Sequence, residues 1–76
     1  MPAAVADTSQ KSVIFAGDVY TMEPLGEGSY TVLRAGKTVG RIVSSYGVAN
    51  AVPEDDTVSE EDLNIIGDAW FDALDT

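Results

Sequence analysis

The residues whose types could do chemistry fall into a few sets, and each set fails on spacing. Gly36-Lys37-Thr38 has the ending of a phosphate-binding loop. That loop needs a second glycine at position 31, where Thr31 stands, and a strand-to-helix turn around it. Residues 56–67 carry acids at intervals suggestive of a calcium loop. The glycine of its sharp turn would fall on Glu61, and its closing glutamate on Gly67. Hydrolysis by paired carboxylates would have to use Asp18, Glu23 and Glu27, which sit in loop-like positions of a chain too small to enclose an ordinary substrate cleft. Ser29, Ser44 and Ser45 have no histidine to activate them, which leaves only a lysine base. With neither histidine nor cysteine in the chain, imidazole acid–base chemistry, thiol catalysis, disulfides and thiolate or imidazole metal sites are excluded. The expectation is a protein that is not an enzyme and uses no metal or cofactor.

Charge is more informative than motif. The net charge is −9, and it is not spread along the chain. Up to residue 53 the acids Asp7, Asp18, Glu23 and Glu27 are balanced by Lys11, Arg34, Lys37 and Arg41. Beyond it stand Glu54, Asp55, Asp56, Glu60, Glu61, Asp62, Asp68, Asp72 and Asp75, with no lysine or arginine. A neutral body therefore carries an acidic C-terminal segment. Nucleic acid as a direct ligand would need a basic footprint, and an anionic membrane would repel this surface. A basic protein surface would be attracted, the more so at low salt.

Those acids need elements to position them. The 76 residues suffice for one domain of marginal stability, because a chain of this size buries only roughly 60% of its unfolded surface. No run approaches the about 18 apolar residues of a membrane span. The first ten residues have neither the basic nor the apolar region of a secretory signal, so the expected location is cytoplasmic. They read as a flexible Ala-rich tail, and residues 11–76 as a single domain: a sheet over 12–52, an acidic linker over 53–57 and a helix over 58–75.

Residues 13–22 read as one or two strands with a turn or bulge at Gly17-Asp18, and residues 23–28 as a loop broken by Pro24 and two glycines. Residues 29–34 and 37–45 form a hairpin about Ala35-Gly36. A two-residue loop sets Arg34 opposite Lys37, Val32 opposite Val39 and Tyr30 opposite Arg41, the last a cation–π pair; a one-residue slip would exchange the faces. Residues 46–52 read as a further short strand or a crossing loop.

The helix is signalled most clearly. Thr57 with Glu60, or Ser59 with Asp62, forms a capping box, and Glu60, Glu61 and Asp62 suit the positive end of the helix dipole. Leu63, Ile66, Ala69, Trp70, Ala73 and Leu74 share a stripe that should pack on the sheet, with Gly67 permitting close approach or marking a kink. The fold expected is α+β, a small antiparallel sheet of three or four strands with one C-terminal amphipathic helix on a face; the alternative is an SH3-like barrel plus helix. The expected core is Ile14, Val19, Val32, Leu33, Val39, Ile42, Leu63, Ile66 and Trp70.

Ile65 and Phe71 miss the core stripe and fall among acids, and Asp72 and Asp75 sit where the dipole prefers cations. The expected partner-binding face is therefore Glu60, Glu61, Asn64, Ile65, Asp68, Phe71, Asp72 and Asp75, with Phe71 and Ile65 as apolar anchors. The bland alternative is that Phe71 tucks against the sheet and the acids serve solubility. In size, charge and its single acidic helix the chain is similar to the small proteins with which phages and mobile elements block nucleic-acid-handling machinery, anti-restriction and anti-CRISPR inhibitors among them. Residues 68–75 are also similar to acidic–hydrophobic activation segments. The base-free acidic stretch from residue 54 to 76 leads to the expectation of an inhibitor, a monomer or weak homodimer by itself, that masks a basic nucleic-acid-binding surface on a larger protein. A virion component or a subunit of a larger complex is the alternative, suggested by an exposed sheet edge at residues 13–15.

Overall fold

In the computed structural model, which describes residues 4–45 and 48–75, the chain runs through β1 (Val5–Asp7), β2 (Ser12–Phe15), β3 (Asp18–Gly26), β4 (Ser29–Arg34), β5 (Lys37–Ser45) and β6 (Val48–Pro53) before α1 (Glu60–Leu74). Each strand pairs antiparallel with its neighbours in sequence, in the order β1-β2-β3-β4-β5-β6. The architecture is α+β, with six strands where three or four were expected. The sheet curls into a half-barrel, so the barrel-plus-helix alternative fits it. Residues 5–7, expected in a flexible tail, form β1: Ala6 lies opposite Val13 and packs against the core. The turn after β1 is held by Asp7, whose Oδ1 accepts from the Ser9 hydroxyl at 2.6 Å and from the backbone N–H groups of Ser9 and Gln10.

Two tight turns place the middle of the sheet. Ala16-Gly17 and Ala35-Gly36 both have positive φ, 52° and 83° in the first, 53° and 81° in the second. That is the primed geometry that matches strand twist, and glycine serves its second position in both turns. Residues 23–26, expected as loop, extend β3 with an irregularity between Pro24 and Gly26. Beyond Thr21 this strand has no β2 partner alongside, so the N–H that Pro24 lacks is not needed by the ladder.

The β4–β5 register departs from expectation beyond the turn. Arg34 faces Lys37 as foreseen, but the register then shifts by one at Val39. Val32 therefore faces Gly40, Thr31 faces Arg41 and Tyr30 faces Ile42, so the expected Tyr30–Arg41 pair does not form. The cation–π contact lies elsewhere, with Arg34 6.0 Å from the Tyr20 ring centroid. The bulge lets Val39 and Ile42 share the buried face with Val32, while Val43 turns outward.

Inside the curl lie Val13, Phe15, Tyr20, Met22, Val32, Val39 and Ile42, covered by Val58, Leu63, Ile66 and Trp70. Ile14 and Val19, expected in the core, are 49% and 55% exposed. Period-two alternation puts Val13 and Phe15 inside and their neighbour outside. Leu33 is only half-buried. On α1 the buried residues are Leu63, Ile66, Gly67 and Trp70, whereas Leu74 at the end of the expected stripe is 45% exposed. The helix begins at Glu60, with Ser59 as its N-cap: the Ser59 hydroxyl accepts from the Asp62 N–H at 3.1 Å.

Close approach of helix to sheet depends on two glycines. A Cβ on Gly67 would stand 3.2 Å from the Ala49 Cβ and 3.3 Å from Ile42 Cγ2, so Gly67 serves approach and not a kink. On Gly40 it would stand 2.5 Å from Leu63 Cδ1 and 2.8 Å from the Val52 carbonyl oxygen. The second contact is backbone and cannot turn aside. Gly40→Ala is expected to lower stability by about 1–3 kcal/mol, read as a fall in the urea midpoint; an unchanged midpoint would show that Leu63 does not rest on this strand as described.

Candidate functional site

The four bases and nine late acids are sorted by the linker between β6 and α1. Asp55 Oδ1 accepts from the Thr57 hydroxyl at 2.6 Å and the Thr57 N–H at 2.8 Å, and its Oδ2 lies 3.3 Å from Lys37 Nζ. Arg34 in turn donates to the Thr57 hydroxyl oxygen. Arg41 Nε meets Glu54 Oε2 at 3.2 Å. Thr57, a candidate cap by spacing, is thus the centre of a network that ties the linker to the tip of the β4–β5 hairpin. Hydrogen bonds from the Thr57 hydroxyl and N–H, then Lys37, draw the Asp55 pKa from 3.8 to about 2.

The consequence falls on the helix. Arg34, Lys37 and Arg41 are engaged with the linker, and Lys11 lies in the exposed β1–β2 turn. Among the described residues no lysine or arginine forms an ion pair with a carboxylate of α1. Glu60, Glu61, Asp68, Asp72 and Asp75 are all exposed. Glu61, Asp68, Asp72 and Asp75 follow a spacing that sets them in one file along the helix. Asp68 and Asp72, four apart, repel, and Asp72 and Asp75 oppose the dipole at an end with no base in its last turn.

The remaining expected site residues are less free. Asn64 is half-buried, with its Oδ1 enclosed and without a hydrogen-bond partner. Ile65 and Phe71, expected as exposed anchors, are half-buried and packed against the core. The correction has a geometric cause: α1 contacts β1 and β2 at one end of the curl and β5 and β6 at the other, so its apolar face is wider than one stripe. Phe71 meets Tyr30 edge-on at 5.7 Å between centroids, and Tyr30 meets Trp70 edge-on at 5.5 Å.

Phe71 nonetheless borders open space. An open groove of about 480 Å³ runs between the second half of α1, which contributes Asp68, Phe71, Asp72 and Asp75, and the sheet, which contributes Gly28, Tyr30 and Ser44. The Ser44 N–H donates to the Gly28 carbonyl at 2.7 Å, holding the sheet side together. Glu60, Glu61, Asn64 and Ile65 are not part of it, so the expected face divides into an N-terminal acidic turn and a C-terminal groove. Tyr30, expected beside Arg41, lines this groove instead, because nothing local in the chain tells which strand passes beneath the last turns of the helix. Among the described residues no group of acids is placed to hold a metal ion, and no helix is long and apolar enough to cross a membrane. Comparison with protein-family models, curated proteins and solved structures finds no match to this chain.

The linker network makes a pH-dependent prediction. A carboxyl whose folded pKa is depressed contributes stability above its unfolded value, and that stability is lost as pH falls through the folded one. Asp55→Asn is therefore expected to destabilise at neutral pH, and its gap from wild type in urea unfolding should narrow as pH falls from 3.8 towards 2. A gap independent of pH would mean that the charge on Asp55 does not hold the linker.

Proposed function

We propose that this protein is a stoichiometric inhibitor that binds through α1 and covers a basic, nucleic-acid-binding surface of a larger protein, in the manner of anti-restriction or anti-CRISPR inhibitors. The observation that carries the reading is the file of exposed carboxylates on α1 that no base of the described chain neutralises, while three of the four bases are engaged with the linker. Carboxylates along one helix stand in for phosphates along a strand, and they speed encounter with a cationic surface. The placement of Asp68, Asp72 and Asp75 works against the stability of the helix itself. Selection for folding alone would not keep Asp72 and Asp75 at that end.

The reading is tested with Glu60→Gln, Glu61→Gln, Asp68→Asn and Asp72→Asn combined. Wild type should capture nucleic-acid-binding proteins from a host extract, added nucleic acid should displace them, and binding should weaken steeply with salt. The variant should bind at least about tenfold more weakly, since several ion pairs worth a few tenths to 1 kcal/mol each are removed. It should remain folded, because the stability lost with Glu60 and Glu61 at the start of the helix is offset by relief of the Asp68–Asp72 repulsion and of the charge near its end. Capture indifferent to both salt and the substitutions would sink the proposal.

A second reading, an assembly subunit, is favoured by a different observation. The edge suggested at residues 13–15 is paired with β1 at Val13 and Ile14, but Val5, Ile14 and Val19 line up across β1, β2 and β3 on the outer face, each about half exposed or more. Sedimentation should then show association that rises with concentration and disappears in Ile14→Thr/Val19→Thr; a monomer at all concentrations removes this reading.

A further inference from the structure

The groove beside Phe71 combines features that together specify one kind of occupant. Its helix side carries Asp68 and, at the end of α1 where the last carbonyls place the negative pole of the dipole, Asp72 and Asp75. The rings of Tyr30 and Phe71 contribute aromatic surface to the same space. Its volume, about 480 Å³, falls within the roughly 300–1,000 Å³ typical of ligand pockets. The three carboxylates are not gathered closely enough to enclose a metal ion. They suit a larger cation that meets them at separate points.

A guanidinium meets these conditions. It is planar, weakly hydrated and always charged, it stacks on aromatic rings, and its N–H groups can address two carboxylates at once. A lysine ammonium is compact and strongly hydrated, so it loses more on leaving water and gains less from the rings. The aliphatic stem of an arginine would lie against Leu74 and Ala49, which also border the groove.

We infer that this groove receives a single arginine side chain projecting from the partner, held by Asp68, Asp72 and Asp75 and packed against the aromatic surface of Tyr30 and Phe71. The inference rests on the inhibitor reading for the source of that arginine. It adds that the encounter is anchored at the C-terminal half of α1, with Glu60 and Glu61 acting at longer range.

The test is an amide chemical-shift titration of the whole protein with three blocked tripeptides, Gly-Arg-Gly, Gly-Lys-Gly and the uncharged isostere Gly-citrulline-Gly. The arginine peptide should shift Gly28, Ser44, Asp68 and Asp72 well before Glu60 and Glu61. The lysine peptide should bind about threefold more weakly, the size of a modest cation–π contribution, and the citrulline peptide should give no saturable change. Phe71→Leu, which keeps apolar volume, and Asp72→Asn, which is exposed and leaves the core intact, should each weaken the arginine response. Equal responses to arginine and lysine, shifts spread evenly along α1, or indifference to both variants would overturn the assignment. The two proposals fail separately. Partner capture that survives Phe71→Leu but not charge neutralisation would remove the groove and leave the inhibitor. Groove binding of the arginine peptide with no basic partner captured would do the reverse.

Discussion

Leu63, Ile66 and Trp70 fill the trough of a sheet whose first and last strands do not pair with each other. A closed barrel of this size would fill its interior with its own side chains; a half-barrel leaves that interior open to water on one side. The helix supplies the missing wall. It can do so only because β5 and α1 come within contact at Gly40 and Gly67, where no Cβ intervenes. Once α1 lies there, β1 gains something to pack on besides β2, and Ala6 joins the core. Docking of the helix and curling of the sheet are in this sense one event, because neither buries its apolar face without the other.

The same docking sets the electrostatics. An element held on its Leu63–Trp70 side must turn its opposite side to solvent, and that side bears the carboxylates. The linker could have supplied counter-charge to the helix from the hairpin tip. It does not, because Asp55 and Glu54 reach Lys37 and Arg41 first and Thr57 engages Arg34. Three bases are thus used to anchor the start of the helix. The charge beyond it is left for whatever the protein meets, and the stability lost to like-charge neighbours on α1 is offset by the packing of Trp70 between Tyr30 and the trough.

Local signals in the chain carried as far as local physics reaches. The hairpin turn at Ala35-Gly36, the start of the helix near Ser59 and the inward side of Leu63, Ile66 and Trp70 all follow from turn chemistry, capping and helical period. They fail where two positions compete for one face. Ile14 and Val13 are both β-branched and apolar, and only the register with β1 and β3 makes Val13 the buried one. Val39 shares a face with Ile42 through a bulge that no alternation pattern announces. Phe71 and Ile65 fall outside a single stripe on the helical wheel, and only the curl of the sheet, which brings β1, β2, β5 and β6 against α1, widens the face that is covered.

What the sequence alone determined is the division of the chain into a neutral β-rich body and an acidic helix with its tryptophan side inward, since charge balance, turn residues and helical spacing are properties of near neighbours. What the tertiary structure decided is which acids remain unpaired and which of them share a groove with aromatic rings. Those facts depend on residues far apart in the chain, Lys37 with Asp55 and Tyr30 with Phe71, that come together only when a curled sheet closes around the helix.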